Sequence, residues 1–293
     1  MISVEEAVGL ILSHVSPLPG EEIPILSARG RVLMQDVRAS RNVPPFANSA
    51  MDGFAVRWAD VAQASETSPV TLKVLEDVPA GYVAKHRVKE GTAIRIMTGA
   101  PVPGGADAII RVEYTKSLNV RVRVTRSDGK GTHIRNAGED IRKAQVILER
   151  GKLLTSADIG LLASVGKSRV RVHRKPTVAV ISTGDELLNV DDPPKPGKIV
   201  NSNSYTLSAS VEEAGAVPKV LGIVRDKRKN LAVAFKRALR CDAVVVSGGV
   251  SVGDYDFVKE ALADVGVKMQ FWKVAQRPGQ PMAFGHARKI PVF

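Results

Sequence analysis

The sequence predicts a multidomain chain of α/β plus β class, and three observations carry that expectation. The chain has 293 residues, more than one ordinary core organises and enough for two or three domains of roughly 100–150 residues. From Thr177 onward it alternates strand (177–182), helix (203–214), strand (217–224), helix (227–239), strand (242–247), helix (255–265) and strand (267–274), the rhythm of a mostly parallel sheet in a three-layer α/β/α domain. Over 46–133, apolar and β-branched stretches at 70–75, 92–97, 108–112 and 118–125 are separated by turns such as Pro101-Val102-Pro103-Gly104-Gly105, which predicts a small β-rich domain.

The remaining elements follow in order. Ser3-Val4-Glu5-Glu6 has the pattern of a capping box and predicts an opening amphipathic helix with Val8, Leu10, Ile11, Leu12 and Val15 on its apolar side, ending near Pro17 and Pro19. Residues 20–45 place Ile23, Ile25, Val32, Leu33 and Val37 in segments broken by Gly20, Gly30, Pro44 and Pro45, and predict brief strands and turns. Thr155-Ser156-Ala157-Asp158 starts a second amphipathic helix, with Ile159, Leu161, Leu162 and Val165 inward and Gly166 at its end.

Composition narrows the function classes. A net charge of +12 favours anionic partners without choosing among phosphates, oxyanions, nucleic acid and acidic surfaces. Aromatic residues are 4% of the chain and rarely adjoin basic ones, so the stacking platform of single-strand nucleic-acid binders is not evident and nucleic acid is an unlikely partner. Cys241 is the single cysteine, which excludes an intrachain disulfide and the usual cysteine-based zinc site and fits a reducing cytoplasm. Met1-Ile2-Ser3-Val4-Glu5-Glu6 has neither a basic n-region nor an apolar h-region, and no run approaches about 18 apolar residues, so no signal peptide or membrane span is expected.

In a parallel sheet, ligands bind beyond the carboxyl ends of the strands, which points to loops 183–186 and 247–256. Ser247-Gly248-Gly249-Val250-Ser251-Val252-Gly253-Asp254-Tyr255-Asp256 runs from a strand into a helix, where glycines let backbone amides approach an anion. It matches neither a Walker A motif nor a dinucleotide fingerprint, and a plain structural turn is the alternative. Asp254 and Asp256 share that loop, and Asp185 with Glu186 follow the other strand end. Two loops opening on one sheet edge form an acidic cluster beside an anion site, the usual environment of Mg²⁺. Helix N-caps and first-turn acids are the competing reading for Asp185 and Asp254. Pro44 to Ala55 reads as a linker, and Thr98-Gly99-Ala100-Pro101 as an ordinary turn. Arg135 and Arg142 beside Gly138-Glu139-Asp140 either grip an oxyanion or pair with acidic neighbours, the second being the cheaper arrangement. The five histidines show no metal-ligand spacing, and no nucleophile with a base assembles from sequence proximity.

Taken in order, PPFANSAMDGFAV (44–56), RIMTGAPVPGGADAII (95–110), IRNAGEDIR (134–142), VAVISTGDEL (178–187), IVNSNSYTL (199–207), DAVVVSGGVSVGDYDFV (242–258) and FWKVAQRPGQPMAFG (271–285) resemble the molybdopterin molybdenumtransferase family, bacterial MoeA and the gephyrin E domain. The resemblance implies that 177–293 is a molybdopterin-binding α/β domain, that 46–133 is the β-rich second domain, and that 1–45 with 134–176 build an elongated helical first domain. It further implies a homodimer whose cleft lies between the α/β domain of one subunit and the second domain of its partner. The implied reaction loads molybdate onto adenylylated molybdopterin with Mg²⁺ and releases AMP. Carried over by position, Asp52, Thr98, Asp140, Glu186, Asp226 and Asp256 are the functional polar residues. Asp52, Thr98, Glu186, Asp226 and Asp256 serve catalysis, the last three as metal or water positioners. The resemblance further implies that Ser247, Gly248, Gly249, Ser251 and Gly253 would hold phosphate or pterin, with Arg277 to receive the incoming oxyanion and Pro278 beside it in the same binding set.

Two departures stand out. Arg277-Pro278-Gly279-Gln280 has glutamine where relatives often carry a second lysine, and the chain stops at Phe293 where the family continues into a Gly-Leu-Pro-Gly-Asn-Pro loop and a C-terminal β domain. The expected partners therefore include a separately encoded C-terminal domain, with Ile23, Ile25, Val32 and Leu33 left without cover. The alternative function is a non-catalytic pterin or nucleotide carrier or scaffold. A set of acids around a negatively charged ligand favours the transferase.

Overall fold

The computed structural model describes residues 1–249 and 257–293, so Ser251, Gly253, Asp254 and Asp256 of the expected anion loop lie outside the described residues. The chain forms two compact units, one of Ile23–Arg29 and Gln35–Val170, the other of Met1–Glu22, Gly30–Met34 and Arg171–Phe293. Compactness thus groups the opening helix with the C-terminal part, whereas the resemblance groups it with 134–176.

Helix α1 (Val4–Ser13) forms with its capping box closed: Glu6 N donates to Ser3 Oγ at 3.0 Å, and Ser3 N donates to the Glu6 carboxylate at 2.8 Å. Its buried stripe is narrower than expected. Ala7 is buried and Leu10 and Ile11 are partly covered, while Val8 faces solvent and Leu12 is 63% exposed. The expected brief strands are β1 (Gly20–Pro24), β2 (Val37–Arg38) and β3 (Asn48–Ser49). Leu33 is fully buried and bridges Val172, so segment 20–37 does not leave it uncovered; the apolar side chain in solvent is Leu26, 88% exposed.

The middle unit contains β4 (Gly53–Val56), α2 (Trp58–Val61), β5 (Val70–Val78), β6 (Thr92–Ile96), β7 (Ala108–Arg111), β8 (Thr115–Leu118) and β9 (Arg121–Val124). Six strands pair in the order β7-β4-β6-β5-β9-β8, antiparallel except for β5 with β6. Residues alternate between two cores, Phe54 and Val56 on one face and Ala55 on the other, as a strand with both faces covered requires. The linker reading of Pro44 to Ala55 is therefore wrong: its last residues are an interior strand, disguised by small residues. The stretch 118–125 is likewise not one strand, because Asn119 turns at φ 53° between β8 and β9, a left-handed conformation that asparagine tolerates. Next come β10 (Ile134–Arg135), paired with β3, and β11 (Val146–Leu148), paired with β2. Helix α3 (Ser156–Ser164) is capped by Thr155, buries Leu162 and Val165, and ends at Gly166 with φ 79°. Strand β12 (Arg169–His173) pairs with β1.

The α/β unit contains β13 (Thr177–Thr183), β14 (Leu187–Leu188), β15 (Ile199–Val200), α4 (Asn203–Glu213), β16 (Val217–Val224), α5 (Arg228–Ala238), β17 (Ala243–Ser247), α6 (Phe257–Asp264), β18 (Lys268–Phe271), β19 (Phe284–Ala287) and β20 (Ile290–Val292). The sheet order is β16-β13-β17-β20-β19-β18. The first four strands are parallel, and β19 runs antiparallel to both its neighbours. The expected strand 267–274 stops at Phe271, and the β19–β20 hairpin was not expected. Phe235 and Leu231 of α5 and Val258 and Leu262 of α6 share a core with Ile181 and Val244, where each fully buried large side chain contributes about 2–3 kcal/mol. Among the described residues, no helix is long and apolar enough to cross a membrane.

Candidate functional site

Strands β13, β16 and β17 place three loops on one sheet edge. Ser182 lies opposite Ser247, and Thr183 lies opposite Val224, so Thr183 to Glu186, Arg225-Asp226 and Ser247 to Gly249 open together. The Thr183 hydroxyl donates to the Asp226 carboxylate, and Gly184 N donates to the Val224 carbonyl at 3.3 Å. The Glu186 carboxylate folds back over Gly184, where a Cβ would meet its Oε2 at 2.5 Å. Gly248, at φ 106°, is the more constrained: a Cβ there would stand 2.4 Å from the Thr183 carbonyl oxygen, a backbone atom that no rotamer change moves. Glycine at 248 lets the loop after β17 close on the end of β13.

Beneath this edge lies a buried polar network. The Ser182 hydroxyl bonds Asn201 Oδ1 at 3.0 Å and Ser204 Oγ at 2.8 Å, and Asn201 Nδ2 donates to Ser204 at 2.7 Å. Asn203 Nδ2 donates to Ser247 Oγ at 2.8 Å, orienting that hydroxyl. Above it, Lys198 Nζ and Arg225 Nη1 both donate to the Asp185 carbonyl, at 2.7 and 2.6 Å. Among the described residues the Asp185 carboxylate pairs with Arg225 at 3.7 Å; Asp254 and Asp256, its expected companions in an acidic cluster, lie outside the described residues. Lys198, Asn203 and Arg225 were missed by sequence reasoning, and Thr183 was reached only as part of loop 183–186, without a role of its own. Only the Asn and Ser positions of IVNSNSYTL offered a signal.

Glu186 and Asp226 offer oxygen donors alone, and among the described residues no group of three or more His, Cys, Asp or Glu could hold a metal ion. Oxygen donors of this kind would suit Mg²⁺, which takes one or two carboxylates from protein and the rest of its ligands from water and substrate phosphate. Arg277 and Pro278 lie in the loop between β18 and β19, joined by a cis peptide bond. The Arg277 side chain is exposed and makes no hydrogen bond or ion pair with the described residues.

A second constellation lies in the β-rich unit. Asp52 Oδ1 accepts from Thr98 N at 2.7 Å and from the Thr98 hydroxyl at 2.8 Å. These bonds, the backbone one foremost, hold the Asp52 carboxyl below the usual carboxylate range, with Arg95 adding a smaller pull. Asp52 is thus an ionised, fixed acceptor. The supporting turns are joined by Ser49 N to the Ala100 carbonyl at 3.0 Å and Gly99 N to the Ser49 carbonyl at 2.8 Å. Asp140 is in an ion pair with Arg135 at 2.9 Å, so the cheaper alternative for Arg135 is the one realised.

Residues 2–166 match the MoeA N-terminal region, domains I and II, and residues 179–292 match the probable molybdopterin binding domain. A molybdopterin molybdenumtransferase of Bacillus subtilis is 39% identical over 297 residues, covering 100% of this chain and 69% of that protein. Another from Nostoc sp. is 38% identical over 287 residues, covering 96% of this chain and 66% of that protein. This chain therefore spans only part of the length of these curated relatives. The crystal structure of a molybdopterin biosynthesis MoeA protein from Pyrococcus horikoshii aligns with a TM-score of 0.87 at 34% identity, covering 100% of this chain and 74% of that one. With both parts of the sequence matched and the fold shared, the chain belongs to the MoeA family of molybdopterin molybdenumtransferases.

Proposed function

We propose that this chain inserts molybdate into adenylylated molybdopterin and releases AMP. The observation that carries the reading is the sheet edge where Glu186, Asp226 and the Ser247-Gly248-Gly249 turn converge, in a chain whose relatives bear the name of that transfer. Glu186 and Asp226, with Asp256 carried over from the resemblance, would hold Mg²⁺, which when bound would neutralise phosphate charge and help orient the phosphoanhydride. Thr183 keeps Asp226 in place, and Asn203 turns the Ser247 hydroxyl toward the ligand. The amides of the glycine turn receive phosphate or pterin oxygens, and Arg277 receives molybdate. The excess of basic residues attracts these anions at long range.

In this reading the protein is a cytoplasmic homodimer. Residues 134–176 with the rest of 1–45 form an elongated first domain, 46–133 the second, and 177–293 the third, on which the opening helix packs. The cleft of the third domain is completed by Asp52 of the partner subunit, held ionised by Thr98 of the partner subunit.

Asp226→Asn and Asp52→Ala are each expected to slow AMP release by about a hundredfold or more, the scale on which charge-stabilising groups act. Co-expressing the two variants should restore about a quarter of the native rate, because half of randomly paired dimers are mixed and each has one intact cleft. Native rates in both single variants would remove these residues from the reaction. Inactive singles with no recovery on mixing would remove the shared cleft.

A further inference from the structure

The loop 272–283, between β18 and β19, carries Arg277 but is lightly braced from within. Val274 N and Met282 N donate to the Gln280 carbonyl at 3.1 and 3.0 Å, and Gln276 Nε2 donates to the Gly279 carbonyl at 2.8 Å. Further support comes from residues far away in sequence. Ile2 runs parallel beside Val274, its carbonyl accepting Ala275 N at 2.8 Å and its N donating to the Lys273 carbonyl at 3.4 Å. Gln280 Nε2 donates to the Met1 sulfur at 3.2 Å.

Behind this bridge, Ile2 and the buried Ala7 pack with Val274, Phe271 and Phe284. The other end of α1 is held too: His14 stacks on His286 with ring centroids 4.5 Å apart and meets Phe284 edge-on at 5.9 Å. The opening segment therefore grips the β18–β19 connection on both sides of residues 276–279. A long connection tethered only at its ends samples many conformations, and pinning residues 273–275 and 280 leaves Arg277 in a short turn.

We propose that Met1 to His14 act as a positioning strap that holds the Arg277 turn in its anion-receiving conformation, with Ile2 as the central positioning residue. The proposal rests on the transferase reading only in naming molybdate as the anion. The strap acts through Arg277 and touches neither pterin nor phosphate, so its loss should weaken the handling of molybdate selectively. A strap that served folding alone would affect every ligand together.

The test uses the full chain with Ile2→Gly, Ile2→Val and Arg277→Ala. Hydrogen exchange at the Ala275 amide reads the bridge, and quenching of Trp272 by molybdate in a Trp58→Phe background reads binding without turnover. Ile2→Gly should expose Ala275 to exchange and raise the molybdate concentration for half-saturation by about tenfold, as expected when a contact group loses its fixed position. Affinity for adenylylated molybdopterin should stay within twofold, and Ile2→Val should restore both properties. Unchanged exchange and unchanged molybdate affinity in Ile2→Gly would overturn the strap, as would equal losses of molybdate and pterin affinity alongside a lower Tm. If Arg277→Ala binds molybdate as the native chain does, the assignment of Arg277 as the molybdate contact is what fails. Exchange at Ala275 then still decides whether the strap exists.

Discussion

Gly53→Ala is expected to unfold the six-stranded sheet of the β-rich unit or to destabilise it by about 3 kcal/mol or more, the upper range for overpacking a rigid core. Gly53 pairs with Ile96 on one side and with Arg111 on the other. A Cβ there would fall 2.0 Å from the Ile110 carbonyl oxygen and 2.9 Å from its carbon. Both obstacles are backbone of the adjacent strand, so no rotamer change relieves the clash and β4 must separate from β7. The shift also displaces Asp52, whose carbonyl accepts Val112 N at 3.0 Å, and with it the bond to Thr98. Hydrogen exchange across β4, β6 and β7 would read the loss locally. Protection equal to the native chain would contradict the close approach of β4 and β7.

The second large effect lies at the end of the α/β sheet opposite the candidate site. Asp242 precedes β17 and accepts from Thr177 N and the Thr177 hydroxyl, each at 2.8 Å, while Arg174 Nη1 donates to it at 2.6 Å. These contacts, the Arg174 hydrogen bond foremost, hold its carboxyl far below the usual carboxylate range despite an opposing contribution from burial. Asp242→Ala removes the acceptor of several bonds at once and should cost about 2–3 kcal/mol, the scale of hydrogen bonds to a charged group, because the pair is only partly buried and Arg174 still reaches water. The sign of the pH dependence follows from the depressed pKa. The folded state binds the Asp242 proton less readily than the unfolded state, so this stabilisation is complete above the ordinary aspartate pKa. It is lost as pH falls from there through the folded value. Acid unfolding of the native chain should therefore be steeper than that of Asp242→Asn. Parallel acid profiles for the two would refute the anchor.

Much of the α/β unit is legible in its sequence because β13 is a β-branched run and strands alternate with helices from Thr177 onward, whereas the antiparallel β19–β20 hairpin left no such signal. Failures occurred where tertiary context outweighs local pattern. Gly53-Phe54-Ala55-Val56 follows a stretch of small polar residues and looks like the tail of a linker, yet β4 is interior to its sheet. Helix α1 has apolar residues around most of its circumference, and only the shape of the Phe271–Phe284 surface decides that Ala7 turns inward while Leu12 does not. Site geometry was less legible. Glu186 and Asp226 were named through family resemblance, but their placement depends on the β13–β16 pairing that brings Thr183 to Asp226. Lys198 and Arg225 converge on Asp185 through loops that no spacing rule connects. The stacking of His14 on His286 joins residues far apart in sequence and leaves no local trace.

Molybdate-dependent release of AMP is read most directly in a single-turnover assay of the native chain with adenylylated molybdopterin and Mg²⁺, with and without molybdate. A transferase should release AMP in amounts approaching the bound pterin only when molybdate is present. Tight pterin binding with no AMP released, or AMP release indifferent to molybdate, would contradict it and favour a carrier in the first case and a simple hydrolase in the second.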